Sequence, residues 1–195
     1  YEVSVSFHSM VKLGAFANVI GAFLYSLAIY GTAKPMLIIS WYCTLVAANL
    51  LNVLWAMRFE YNHITQKEIE KCRTGILVII SIIALVWGSI GVLFMEGGFT
   101  QQLITIIFLS AVLISFTFGT VIDLTMGVAC ILSVLAPVIL YHLFLRLYLH
   151  DISQPNLSIV AAFIVLELFM LFACFLGNMV VIKVFRLGYE NALLS

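Results

Sequence analysis

The sequence predicts an all-α integral membrane bundle of six transmembrane helices with both termini in the cytoplasm. Three observations carry that expectation. Of 195 residues, 64% are hydrophobic and only 9% charged, and the mean hydropathy is +1.19, far from the balance of a soluble globular chain. The apolar residues fall into six runs. The basic residues are distributed unevenly around those runs.

A helix crosses a ~30 Å hydrocarbon core with about 20 mostly apolar residues. Segments 12–30, 35–57, 74–95, 101–120, 124–146 and 158–182 meet that requirement in order. Gly31 to Pro35 separates the first two, and the charged run from Arg58 to Arg73 separates the second and third. Glu96-Gly-Gly98, a tight turn about Asp123, and His150 to Asn156 supply the remaining breaks. With the amino terminus inside, Lys12, Arg58, Lys67, Lys71, Arg73, Lys183 and Arg186 face the cytoplasm, and Lys34 and Arg146 face outward. The outer loops are too short to fold into a ligand-binding domain. A signal would therefore be sensed within the bilayer, at its surface, or between helices.

Residues 1–182 read as the membrane domain and 183–195 as the start of a cytoplasmic helix. The chain begins at Tyr1 and stops at Ser195 in an amphipathic segment, so both ends read as trimmed. The first span lacks a small-residue cleavage site and does not read as a removable signal peptide. Nine basic residues balance nine acidic ones without a dense cluster, which gives no footprint for nucleic acid. Cys43, Cys130 and Cys174 lie in apolar runs and Cys72 in a basic loop, with no disulfide framework or CxxC metal pattern.

The second span is rich in Trp and ends in Arg58-Phe59, a basic loop follows, and the third span holds Trp87-Gly88-Ser-Ile-Gly91-Val-Leu-Phe94. The last span exits through Arg186-Leu-Gly-Tyr-Glu-Asn-Ala-Leu-Leu194. Together these elements resemble the amino-terminal multi-helix (MASE-like) sensor region of bacterial diguanylate cyclases with a GGDEF output domain, and of related sensor histidine kinases. The resemblance implies a signalling module of the bacterial inner membrane, a homodimer, and coupling to a cytoplasmic output domain through Arg186, Tyr189, Glu190 and Asn191. Gly188 departs from the pattern by weakening the exit helix. The GGDEF segment itself is absent, so this stretch carries no catalytic residue, no cofactor and no metal ligand of its own.

Ionisable residues inside spans are costly and mark candidate sites. Glu167 in the sixth span, His142 in the fifth, and Arg146 one turn beyond His142 could line an outward polar pocket. Two readings stand: a group that binds or protonates in response to a signal, or a satisfied contact between helices. Asn49 and Asn52 share a helical face, with Asn18 and Asn178 at similar depth, and read either as interhelical glue or as a ligand site. Pro137 removes a backbone donor and predicts a kink that is either static or a hinge. Trp87 and Gly88 are coupling candidates. Gly14, Gly21, Gly88, Gly91, Gly119 and Gly127 are expected to permit close helix approach. Trp41, Tyr30, Tyr141 and Tyr148 read as interfacial anchors, with Trp55 and Trp87 deeper. Fifteen Phe and seven Met suit either a small hydrophobic ligand or plain contact with membrane lipid. His8 and His63 fall on one side and His142 and His150 on the other, which does not make a haem or metal site. The competing function is a small six-helix transporter or channel, although no inverted repeat is visible. An intramembrane enzyme has no motif to support it.

Overall fold

The computed structural model describes residues 2–58, 66–95, 98–120, 123–149 and 154–194, with side chains described over 11–58, 68, 70–95, 98–120, 123–144 and 161–187. Within these residues the chain is helical: α1 (Glu2–Ala28), α2 (Pro35–Met57), α3 (Gln66–Gly88), a single turn α4 (Ile90–Leu93), α5 (Phe99–Gly119), α6 (Leu124–Leu149) and α7 (Gln154–Leu194). Six stretches are long and apolar enough to cross a membrane, with α3 and α4 together forming the third. In lipid the backbone must satisfy its own polar groups, which helices do internally.

Helices α3 and α6 form the centre and pack against each other most extensively. The α1–α2 hairpin lies against α3, while α5 and α7 lie against α6, and α1 reaches α5. The buried residues follow helical spacing. On α2 they are Ile38, Trp41, Leu45, Asn49, Asn52 and Ala56, steps of three or four that keep one stripe turned inward. Helix α6 buries Cys130, Ile131, Val134, Leu135 and Val138 completely, as suits a helix enclosed by neighbours.

Glycine sets the closest approaches. A Cβ at Gly88 would fall on the Val134 carbonyl oxygen, and one at Gly91 on the Val138 side chain. The same substitution at Gly127 would strike Cys174 Sγ, and at Gly75 the Trp55 indole. Gly21 meets Trp87 at ordinary contact distance, whereas Gly14 and Gly119 face open space, contrary to the expectation that they seat a neighbouring helix.

Each break has a local cause. Between α1 and α2, Gly31 adopts φ +89°, a left-handed conformation that glycine takes without strain. Pro35 then opens α2 at a position where its missing N–H costs nothing. Between α5 and α6, Asp123 caps α6 by accepting from the backbone N–H of Thr125 at 3.1 Å and of Met126 at 3.3 Å. Its carboxylate also takes two bonds from Arg73, at 2.6 and 3.0 Å. The charged run is shorter as a break than the sequence suggests. Residues from Gln66 onward already belong to α3, because Gln-Lys-Glu-Ile-Glu-Lys is built of helix formers that extend the helix beyond the apolar run. Cys72 therefore sits on a helix rather than in a loop, and its carbonyl accepts from Trp55 Nε1 at 3.4 Å.

Candidate functional site

The third span is interrupted where α3 gives way to α4, and the side chains around that break form the most elaborate constellation among the described residues. Ser89 turns its hydroxyl back to the Val86 carbonyl at 2.7 Å. The same carbonyl accepts the indole N–H of Trp41 at 2.8 Å. A backbone group at a break in a membrane helix is thus paired twice by side chains, as a non-aqueous surrounding demands.

Trp41 begins an aromatic cluster. It meets Trp87 edge-on at 5.4 Å and Tyr25 at 5.5 Å, and Tyr25 in turn meets Phe94 at 5.9 Å and Phe108 at 5.2 Å. Tilted ring pairs at these separations are favourable because ring edges are positive and faces negative. Trp41 is therefore a core residue at 4% exposure rather than the interfacial anchor its position suggested. Its N–H is satisfied by α3, which removes the need for a watery boundary. Tyr30 is 71% exposed. Trp87 is buried, as expected, and donates to Asn18 Oδ1 at 3.1 Å.

A buried polar relay runs beside the rings. The Tyr25 hydroxyl lies 3.0 Å from Thr105 Oγ1, which donates to the Gln101 carbonyl at 2.9 Å, so Tyr25 is the donor of the first bond. The Gln101 amide donates to the Phe94 carbonyl at 2.9 Å and Gln102 to the Met95 carbonyl at 3.0 Å. α1, α5 and the end of α4 are tied by this relay. Sequence reading missed Tyr25, Gln101 and Thr105, although 101, 105, 109, 113 and 117 recur at steps of four along α5 and all are buried. Polar members at that spacing mark a buried face.

The break has a counterpart on α6. Gly88 opposite Val134 and Gly91 opposite Val138 fix a parallel register in which Pro137 stands level with Ile90. The break in the third span and the proline of the fifth therefore lie side by side on the two central helices. An open groove of about 350 Å³ runs between α2 and α3–α4, past Ser40, Trp41, Thr44, Leu85 and Ser89 to Leu93. The Trp41 to Val86 bond belongs to its lining.

The remaining predicted residues are more dispersed. Gly127 against Cys174 sets an antiparallel register of α6 and α7 that puts Val134 opposite Glu167. His142 then lies eight residues, about 12 Å, further along. Glu167 and His142 are not brought into one pocket. Glu167 is half-buried on the stripe with Phe163, Met170 and Cys174, and His142 is buried edge-on to Tyr141 at 5.4 Å. The side chains of Arg146, Tyr189, Glu190 and Asn191 lie outside the described residues, and so does that of Tyr148. Their backbones are helical, and that of Arg186, which is exposed, continues α7 unbroken. Asn178 is buried on α7, which among the described residues touches α5 and α6 but not α2, so it lies near the depth of Asn49 and Asn52 by helix register without meeting them. Among the described residues no group of three potential metal ligands converges.

No family model matches the chain, and it has no significant similarity to a curated protein or a solved structure.

Proposed function

We propose that the chain is the transmembrane input module of a bacterial signalling protein in the inner membrane, coupled as a homodimer to a diguanylate cyclase output. The observation that carries the proposal is α7, a single helix of 41 residues from Gln154 to Leu194. At 1.5 Å per residue it is about 60 Å long, roughly twice what the hydrocarbon core requires. It runs without a break through the apolar stretch Ala161–Leu187 and onward, so a tilt or rotation in the membrane reaches its far end. Among the described residues α7 packs on α5 and α6 alone, and most closely on α6, so a shift of α6 would be passed to it directly.

Support on the input side comes from the paired irregularities. A break in one central helix beside a proline in the other makes a level at which the outer segments can tilt against the inner ones. The groove reaches that level from the lipid. A membrane-borne apolar ligand seated there would press on Trp41 and the break, and α6 would carry the shift to α7 through Gly127 and Cys174.

The test uses the full-length protein in proteoliposomes, with cyclic di-GMP synthesis as the readout. Inserting one to three alanines after Leu187 rotates the downstream part of the helix by about 100° per residue, and output should change with the phase and return on a seven-residue insertion. Glu167→Gln should alter regulation without abolishing synthesis. Absence of any nucleotide output, with solute flux across the same liposomes, would overturn the proposal in favour of a transporter.

A further inference from the structure

We propose that Asn49 and Asn52 hold a buried water molecule in the seam between α1, α2 and α3, a site that stands independently of the signalling reading. Both side chains lie on the inward stripe of α2, at 2% and 6% exposure. The Asn49 amide N–H donates to the Leu45 carbonyl at 2.9 Å, which fixes the orientation of the amide and turns its oxygen away from that carbonyl. Among the described residues neither Asn49 Oδ1 nor Asn52 Oδ1 has a hydrogen-bond partner. Buried acceptors are satisfied in folded proteins, by the chain or by ordered water.

Geometry favours one shared occupant. Residues at i and i+3 hold their Cβ atoms about 5–6 Å apart on one helix face, a gap that a single water spans with its two donors. Its lone pairs then need donors, and a third amide is at hand. Tyr25 against Trp41 sets the antiparallel register of α1 and α2, which puts Asn18 level with Ala48 and within one residue of Asn49. The Asn18 oxygen is taken by Trp87, leaving its amide N–H groups as donors. The water thus links the Asn pair to the aromatic cluster through Asn18.

Chemistry argues against a cation. Hard cations take six or more oxygens, commonly with carboxylates among them, whereas Glu68 and Glu70, the described acids of α3, are exposed near its start. The two orphan acceptors ask for a small neutral molecule with two O–H donors.

The test is water-edited solid-state NMR on the protein in lipid bilayers, following magnetisation transfer from water to assigned side-chain carbons. Transfer to the amide carbons of Asn49 and Asn52 should build up several-fold faster than to Leu45, which lies on the same stripe. In Asn52→Leu the fast transfer at Asn49 should be lost, with unchanged Trp41 and Trp87 shifts reporting an intact fold. Transfer no faster than at Leu45 would overturn the proposal, as would fast transfer at Asn49 that survives the substitution. A sodium-dependent shift of the Asn signals without water transfer would replace the water with a cation.

Discussion

At Gly88 one hydrogen separates two helix backbones, so a single methyl group tests the packing of the whole centre. Gly88→Ala drives a Cβ into the Val134 carbonyl oxygen, which no rotamer change relieves because the obstacle is backbone. The central helices must part, and the expected cost is about 1–3 kcal/mol. Gly14→Ala is the control: nothing lies within 4 Å of its added Cβ, and the gain in helix propensity is up to about 1 kcal/mol. Unfolding equilibria in mixed micelles should move in opposite directions for the two variants. Trp41→Phe keeps a ring in the cluster and deletes the N–H that serves Val86, while Ser89→Ala deletes the other donor. Each alone leaves the carbonyl one partner and costs about 0.5–1.5 kcal/mol. The pair leaves a half-buried acceptor orphaned, so a double-mutant cycle should show a coupling that makes the combined loss exceed the sum. Strict additivity would mean that the two donors do not share one acceptor.

The start of α6 separates two roles of one residue. Asp123 caps the helix and grips Arg73. Asn caps about as well as Asp, so Asp123→Asn removes the ion pair and keeps the cap, whereas Asp123→Ala removes both and should cost about 1 kcal/mol more. The Arg73 guanidinium, with help from the backbone N–H groups of Met126 and Thr125, holds the Asp123 carboxyl below its ordinary value, against an opposing effect of partial burial. A carboxyl lowered in the folded state contributes stability above its unfolded value, near 4, and that contribution disappears as pH falls through the lowered value. The wild type should therefore lose more stability than Asp123→Asn on acidification below about pH 4, and parallel pH profiles would refute the clasp. The same elements show what the sequence made legible. Six spans were readable because twenty consecutive apolar residues have few alternatives to crossing a bilayer. The break at Ser89 was not, since Trp87 to Phe94 is apolar enough to continue a helix and only the approach of α6 at Gly88 and Gly91 reveals its place. Trp87 and Gly88 stood out as residues, but their partners, Asn18 and the Val134 carbonyl, are set by helix register that no local pattern encodes. Glu167 and His142 were legible as unusual groups, and their separation emerged only from the seating of Gly127 on Cys174.

For the whole molecule, the distribution of charge makes the orientation testable helix by helix. Lys34 is exposed just before α2, and Lys183 is exposed within α7 near the end of its apolar stretch; an excess of Lys and Arg on the cytoplasmic side would put Lys34 outside and Lys183 inside. In a chain with Cys43 and Cys72 replaced by Ser, Lys34→Cys should react with an impermeant maleimide added to intact spheroplasts, and Lys183→Cys only after permeabilisation. Lys12→Cys adds a count of the crossings. If all six helices span, an even number of passes returns the chain to its starting side, and Lys12→Cys must behave like Lys183→Cys. The helix most able to break this parity is α1, whose apolar stretch has a mean hydropathy of 1.5 against 1.8 to 2.8 for the other five. What holds it across is tertiary: Tyr25, fully buried, bonds to Thr105 and packs on Trp41 and Phe108. Tyr25→Ala therefore adds to the lost packing a weakened hold on the least apolar span, and it should increase labelling of Lys12→Cys from the outer side, whereas Tyr25→Phe, which keeps the ring, should not. Equal labelling in both variants would show that α1 crosses on hydrophobicity alone.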